Sequence, residues 1–141
     1  MTPDDLGITK DQYSNLEKLA DLLETVEEDK FDMRDFATLD GYGGFCPNYI
    51  HKVGECGTIA CAAGHLVKII EPLEGETWDD FIDRETGLEC GSDIWSWLFD
   101  GGWVGTDNTA LGASKRIRYF LKNDTPNDWL GQMLGDAPLC Y

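Results

Sequence analysis

Apolar residues recur every three to four positions in several stretches of the chain, the spacing of amphipathic helices. In the first stretch, Tyr13, Leu16, Leu19, Ala20, Leu23 and Val26 form one stripe, and Asp11, Lys18, Asp21, Thr25 and Glu28 lie opposite it. Thr9 with Gln12 three residues on is a capping box, and Ile8 with Tyr13 matches a hydrophobic staple. The pattern predicts a helix over 10–28.

Residues 59–70 hold Ile59, Ala60, Ala62, Ala63, Leu66, Val67, Ile69 and Ile70, apolar almost all round. Thr58 is placed to cap a helix there and Pro72 to close it, so this segment is expected to be the central buried helix. Ala60, Ala63 and Gly64 would let a neighbouring element approach closely.

Thr77 with Asp80 predicts a short helix toward Gly87, and Ser92 caps another through Ile94, Trp95, Trp97, Leu98 and Phe99 that Gly101 and Gly102 end. Thr106 to Thr109 offer caps for a helix over 110–122, with Leu111, Ile117, Phe120 and Leu121 inward and Lys115, Arg116, Arg118 and Lys122 as an outer basic cluster. Thr125, Pro126, Asn127 and Asp128 predict a last helix start, after which Trp129, Leu130, Met133 and Leu134 dock. Residues 37–55, rich in glycine around Gly41 to Gly44, read as a long loop with room for a minor β-hairpin near 45–54. The expected fold is mainly α, one compact domain over 1–141.

Composition fits that picture: 42% hydrophobic and 11% aromatic residues are enough for a packed core. Trp95 and Trp97 stand two apart and cannot share a helix face, so one of them is expected to be partly exposed and to serve as an interface anchor or a rim-buried residue.

Charge changes the functional picture most. There are 27 acidic against 11 basic residues, a formal charge of −16. Such a field repels nucleic acid and anionic membranes and steers the protein toward basic surfaces, which are commonly nucleic-acid-binding grooves. The acids are blocked: residues 1–40 hold twelve with four bases, and 71–100 hold ten with Arg84 as the one base. Solubility alone is the plain alternative.

The densest candidate chemistry is Cys56-Gly57-Thr58-Ile59-Ala60-Cys61-Ala62-Ala63-Gly64-His65. Cys46, Cys56, Cys61 and His65 supply zinc-type ligands, but the spacing forms no Cys-x2-Cys knuckle, and buried inert thiols are the commoner outcome. Cys56 ahead of a helix start with His51 or His65 as base would suit a thiol nucleophile, yet no nucleophile signature accompanies them. Gly57 and Thr58 at a helix start, with Lys115, Arg116 and Arg118, form an alternative phosphate- or nucleotide-binding set. Five cysteines, an acidic opening without a signal pattern, and no apolar run of membrane length point to a reduced, cytoplasmic setting.

The pieces Phe31-Asp32-Met33, Cys56-Gly57-Thr58-x-x-Cys61-x-x-Gly64-His65, Trp97-Leu98-Phe99 and Arg116-Ile117-x-x-Phe120 resemble a scattered set of small bacterial and phage proteins of unassigned activity. The resemblance spans 31–121, and in similar sequences tryptophan can take the place of His65. It implies a phage-type setting, in which small acidic proteins inhibit host defence enzymes, some by mimicking nucleic acid. The expected function is therefore a non-enzymatic, cofactor-free inhibitor or interaction protein of the host cytoplasm. It would set Asp21, Glu24, Glu27, Glu28, Glu74, Glu76, Asp79, Asp80 and Asp83, with Trp95, against a basic surface of a nucleic-acid-binding enzyme such as a CRISPR effector.

Overall fold

The computed structural model describes residues 1–34, 37–38 and 59–141, with backbone alone for 37, 38 and 59. The expected hairpin near 45–54 lies outside the described residues, as do His51 and Thr58. The described residues are mainly helical: α1 (Pro3–Leu6), α2 (Lys10–Leu23), α3 (Ala62–His65), α4 (Trp78–Thr86), α5 (Asp93–Phe99), α6 (Ala110–Asn123) and α7 (Trp129–Leu134). A two-residue antiparallel pair, β1 (Ala37–Thr38) with β2 (Ile59–Ala60), sets Ala37 opposite Ala60 and Thr38 opposite Ile59.

Helix starts follow the side chains that can satisfy free backbone amides. Thr9 Oγ1 accepts from the Gln12 amide at 3.1 Å while Gln12 Oε1 accepts from the Thr9 amide at 2.9 Å, closing the capping box of α2. Thr77, Ser92 and Thr109 cap α4, α5 and α6 in the same way. Gly87 ends α4 at φ +71°, where a side chain would be strained, and its missing Cβ would stand 2.4 Å from Gln12 Oε1. Gln12 thus needs Gly87: its Nε2 donates to the Arg84 carbonyl at 3.2 Å, tying α2 to the end of α4.

Three boundaries differ from the pattern. α2 stops at Leu23 rather than Glu28, because the Thr25 amide and hydroxyl both donate to the Leu22 carbonyl, at 2.9 and 2.7 Å, and tighten the chain out of the helix. The buried centre is only partly helical. Ile59 and Ala60 are extended, with the Ala60 carbonyl accepting from Asp32 at 3.1 Å, so strand pairing with Ala37–Thr38 and a bridge to Phe31 satisfy backbone that a helix from 59 would have used. Cys61 caps α3 through Sγ, which accepts from the Gly64 amide at 3.4 Å, and a 3-10 turn follows at Leu66–Lys68. α5, by contrast, ends ahead of Gly101 and Gly102 as expected, and Gly101–Gly105 form a 3-10 turn that carries Trp103 into the core. The last helix starts at Trp129, with Pro126 in the preceding turn; Asp128 stands at its N-cap position without a side-chain capping bond, its carboxylate accepting instead from Gln132 Nε2 at 2.7 Å.

The core gathers Leu16, Leu19, Ala20, Leu23, Phe81 and Leu66 with the fully buried Trp78, Trp97 and Trp103. α2 packs along α6, and at that contact the Ser114 hydroxyl donates to the Ala20 carbonyl at 2.7 Å. α4 lies against α2, and α3 touches α2, α5 and α6. Leu111, Leu130 and Leu134, expected inward, are about half exposed at 49%, 49% and 58%. Leu111 sits on the opposite side of α6 from Ile117 and Phe120 when the helix turns by 100° per residue.

Candidate functional site

The two acidic blocks sit on opposite flanks of α2. On one flank Asn15 Nδ2 donates to the Glu85 carbonyl and carboxylate, both at 2.9 Å, holding α4. On the other, Asp21 and Glu24 accept from Arg118 of α6 at 2.6 and 3.0 Å. About half a helical turn separates the Gln12 and Asn15 direction from the Asp21 and Glu24 direction. These two carboxylates raise the Arg118 guanidinium above its ordinary pKa, Asp21 contributing most. Glu28 Oε2 accepts from the Ala110 amide at 3.4 Å, placing a negative charge at the start of α6, and Glu27 is exposed.

The second block remains more open. Arg84, its one base, is bound to Glu76 at 2.7 Å and also paired with Glu85. Glu76 further accepts from the Leu73 amide at 3.0 Å, pinning the loop before α4, and its bonds chiefly raise the Arg84 pKa. Glu74, Asp79, Asp80 and Asp83 are exposed. Asp79 and Asp80 lie in the first turn of α4, where the helix dipole favours negative charge. Trp95 is half-buried and meets Phe99 edge-on at 6.2 Å, while Trp97 is fully buried, so the two tryptophans do part as their spacing predicts.

Arg116 corrects the basic cluster. It was expected on the outer face with Lys115, Arg118 and Lys122, but it is fully buried. The helical phase that carries Gly112 and Phe120 inward carries Arg116 with them. Its guanidinium lies 4.0 Å over the Trp103 ring and 5.4 Å from the Tyr141 ring. Nη1 donates to the Tyr141 hydroxyl at 2.8 Å, and the Asp107 carboxylate stands 3.5 Å away. The Tyr141 hydroxyl in turn donates to Asp107 Oδ2 at 2.8 Å. Burial pushes the Arg116 pKa down, opposed chiefly by Tyr141 and then by Asp107; burial also raises the Tyr141 phenol, so its proton stays in place. Gly112 completes the arrangement, because a Cβ there would stand 2.1 Å from Asp107 Oδ2.

This cage was missed in the sequence, because the two rings around Arg116, Trp103 and Tyr141, come from positions 13 residues before it and 25 after it, beyond any local pattern.

Of the cysteine-rich segment, Cys46, Cys56 and Gly57 lie outside the described residues, as does Thr58. Cys61 and His65 are both buried, and one atom of each is engaged with backbone: Cys61 Sγ with the Gly64 amide, His65 Nε2 with the Lys30 carbonyl at 2.9 Å. Burial, and next the Lys68 charge, draw the His65 pKa down to about 4, so the imidazole is neutral and donates to Lys30. Among the described residues no group of three or more His, Cys, Asp or Glu is arranged to hold a metal ion. None of the described helices is long and apolar enough to cross a membrane.

Lys115, Arg118 and Lys122 remain exposed along one stripe of α6. They border a cleft of about 400 Å³ whose wall includes Tyr119, Cys140 and Tyr141. No family model, curated protein or solved structure matches this chain.

Proposed function

We propose that the protein is an acidic binding protein, without catalytic activity of its own, that docks its second acidic block on a basic protein surface of the kind nucleic-acid enzymes carry. In a phage-type setting that partner is a host defence enzyme such as a CRISPR effector, inhibited because the carboxylates occupy its nucleic-acid groove. The observation that carries the reading is the fate of Arg84: the one base of residues 71–100 is held by Glu76 and Glu85, which leaves Glu74, Asp79, Asp80 and Asp83 exposed without a competing cation on α4.

A rigid array of carboxylates on a capped helix loses little entropy on docking, and its field raises the association rate with a basic partner. Asp21 and Glu24 contribute less, because Arg118 already screens them. The surface block is therefore Glu74, Asp79, Asp80 and Asp83, with Glu27 and Trp95 as outlying candidates. The test is retention of proteins from a bacterial lysate on the immobilised chain, with the wild type beside a Glu74→Lys, Asp79→Lys, Asp80→Lys and Asp83→Lys variant. Basic nucleic-acid-binding proteins held by the wild type, eluted by salt and lost with the variant support the proposal. An identical retained set for both chains overturns it.

A further inference from the structure

We propose that the cleft beside α6 is a second site, of opposite sign, for a small phosphorylated ring compound of the nucleoside diphosphate class. This goes beyond the acidic docking surface and involves none of its residues. Three features converge there.

The first is charge. Lys115, Arg118 and Lys122 recur at i, i+3 and i+7, which places three cationic groups in one row along the cleft edge. The net charge of −16 would repel an anion at long range, but at 0.1 M salt that field is screened beyond about 10 Å, and the cations in contact decide the local sign. Asp21 and Glu24 also face this row. They engage Arg118 and hold its guanidinium in place, while Lys115 and Lys122 flank it as the two ammonium groups on the row.

The second is the aromatic wall. Tyr119 and Tyr141 line the cleft, and both meet the buried Trp97 edge-on, at 5.8 and 6.0 Å. Tyr141 is fixed further by its hydroxyl, which lies between Arg116 and Asp107. The rings are thus positioned before any ligand arrives, which lowers the ordering cost of stacking a base against them.

The third is room. The open groove offers about 400 Å³, enough for one ring system laid along it with its phosphates at the cationic edge. Bare phosphate would use the edge alone and leave the aromatic wall uncovered.

The experiment is calorimetric titration of the full chain at about 0.1 M salt with adenosine diphosphate and, separately, with inorganic pyrophosphate. Beside the wild type stand a Lys115→Gln, Lys122→Gln double variant and a Tyr119→Leu variant. The proposal predicts one diphosphate per chain, affinity at least tenfold lower in the lysine variant, and a Tyr119→Leu loss confined to the nucleotide. Absence of binding at millimolar nucleotide, affinity unmoved by the lysine changes, or equal affinity for pyrophosphate and nucleotide overturns it. The Glu74, Asp79, Asp80 and Asp83 variant keeps nucleotide binding under this proposal, so the two sites fail or stand separately.

Discussion

The Tyr141 hydroxyl accepts from the buried Nη1 of Arg116 at 2.8 Å and donates to Asp107 Oδ2 at the same distance. This one phenol oxygen links a fully buried cation to a partly exposed carboxylate that stands 3.5 Å from it. The charges of Arg116 and Asp107 are joined in a region otherwise made of tryptophan and tyrosine rings.

Tyr141→Phe keeps the ring over Trp97 and Trp103 and removes only the oxygen. A buried charged donor then loses its best acceptor, a change that costs about 1–3 kcal/mol. Urea unfolding should show a lower midpoint with an unchanged slope; an unchanged midpoint would mean that water replaces the hydroxyl without loss.

Gly112→Ala sets two effects against each other. Alanine is favoured over glycine inside a helix by about 1 kcal/mol. Its Cβ, however, would stand 2.1 Å from Asp107 Oδ2 and must push the carboxylate off Tyr141 and Thr109. Steric displacement and the lost bonds should win, giving a net loss of about 1–3 kcal/mol. In the double variant with Tyr141→Phe the losses should be less than additive, since both act on the same carboxylate.

His65 predicts a pH dependence. Its folded pKa is about 4 against an ordinary 6.5, so between those values the unfolded chain binds a proton that the folded chain refuses. The stabilisation is complete above about pH 6.5 and is lost as pH falls toward 4, by an amount on the order of 3 kcal/mol. Urea midpoints of wild type and His65→Gln across pH 4 to 8 check this. The glutamine variant should show the shallower fall on the acid side.

Much of the helical frame was legible because its signals are local. Thr9, Thr77, Ser92 and Thr109 each act on the amide three residues on, and all four cap the helices they predict. The failures need distant partners. Ile59 and Ala60 are extended because Phe31 and Ala37–Thr38 pair with them, which no local pattern reports. Arg116 was read outward by its charge, although its phase with Gly112 and Phe120 pointed inward; the ring of Trp103, the Tyr141 hydroxyl and Asp107, all distant in sequence or from other elements, compensate that burial. For the acidic blocks, sequence showed how many carboxylates there are, while their division between the flanks of α2 depends on the pairing of Arg118 and Arg84.

Arg118→Ala separates surface pairing from burial. Its ion pairs with Asp21 and Glu24 are solvent-exposed on both sides, so their removal should cost no more than about 1 kcal/mol. A larger loss of thermal stability would show that the α2 and α6 contact depends on this cation.

The central claim is that the exposed carboxylates of α4 and its preceding loop take the place of nucleic acid on a basic partner. The most direct measurement is competition: the partner retained from lysate is purified, loaded with labelled duplex DNA, and titrated with this protein. The account predicts that the DNA is displaced, and that the Glu74→Lys, Asp79→Lys, Asp80→Lys, Asp83→Lys variant displaces none. A stable complex holding partner, DNA and this protein together would contradict it.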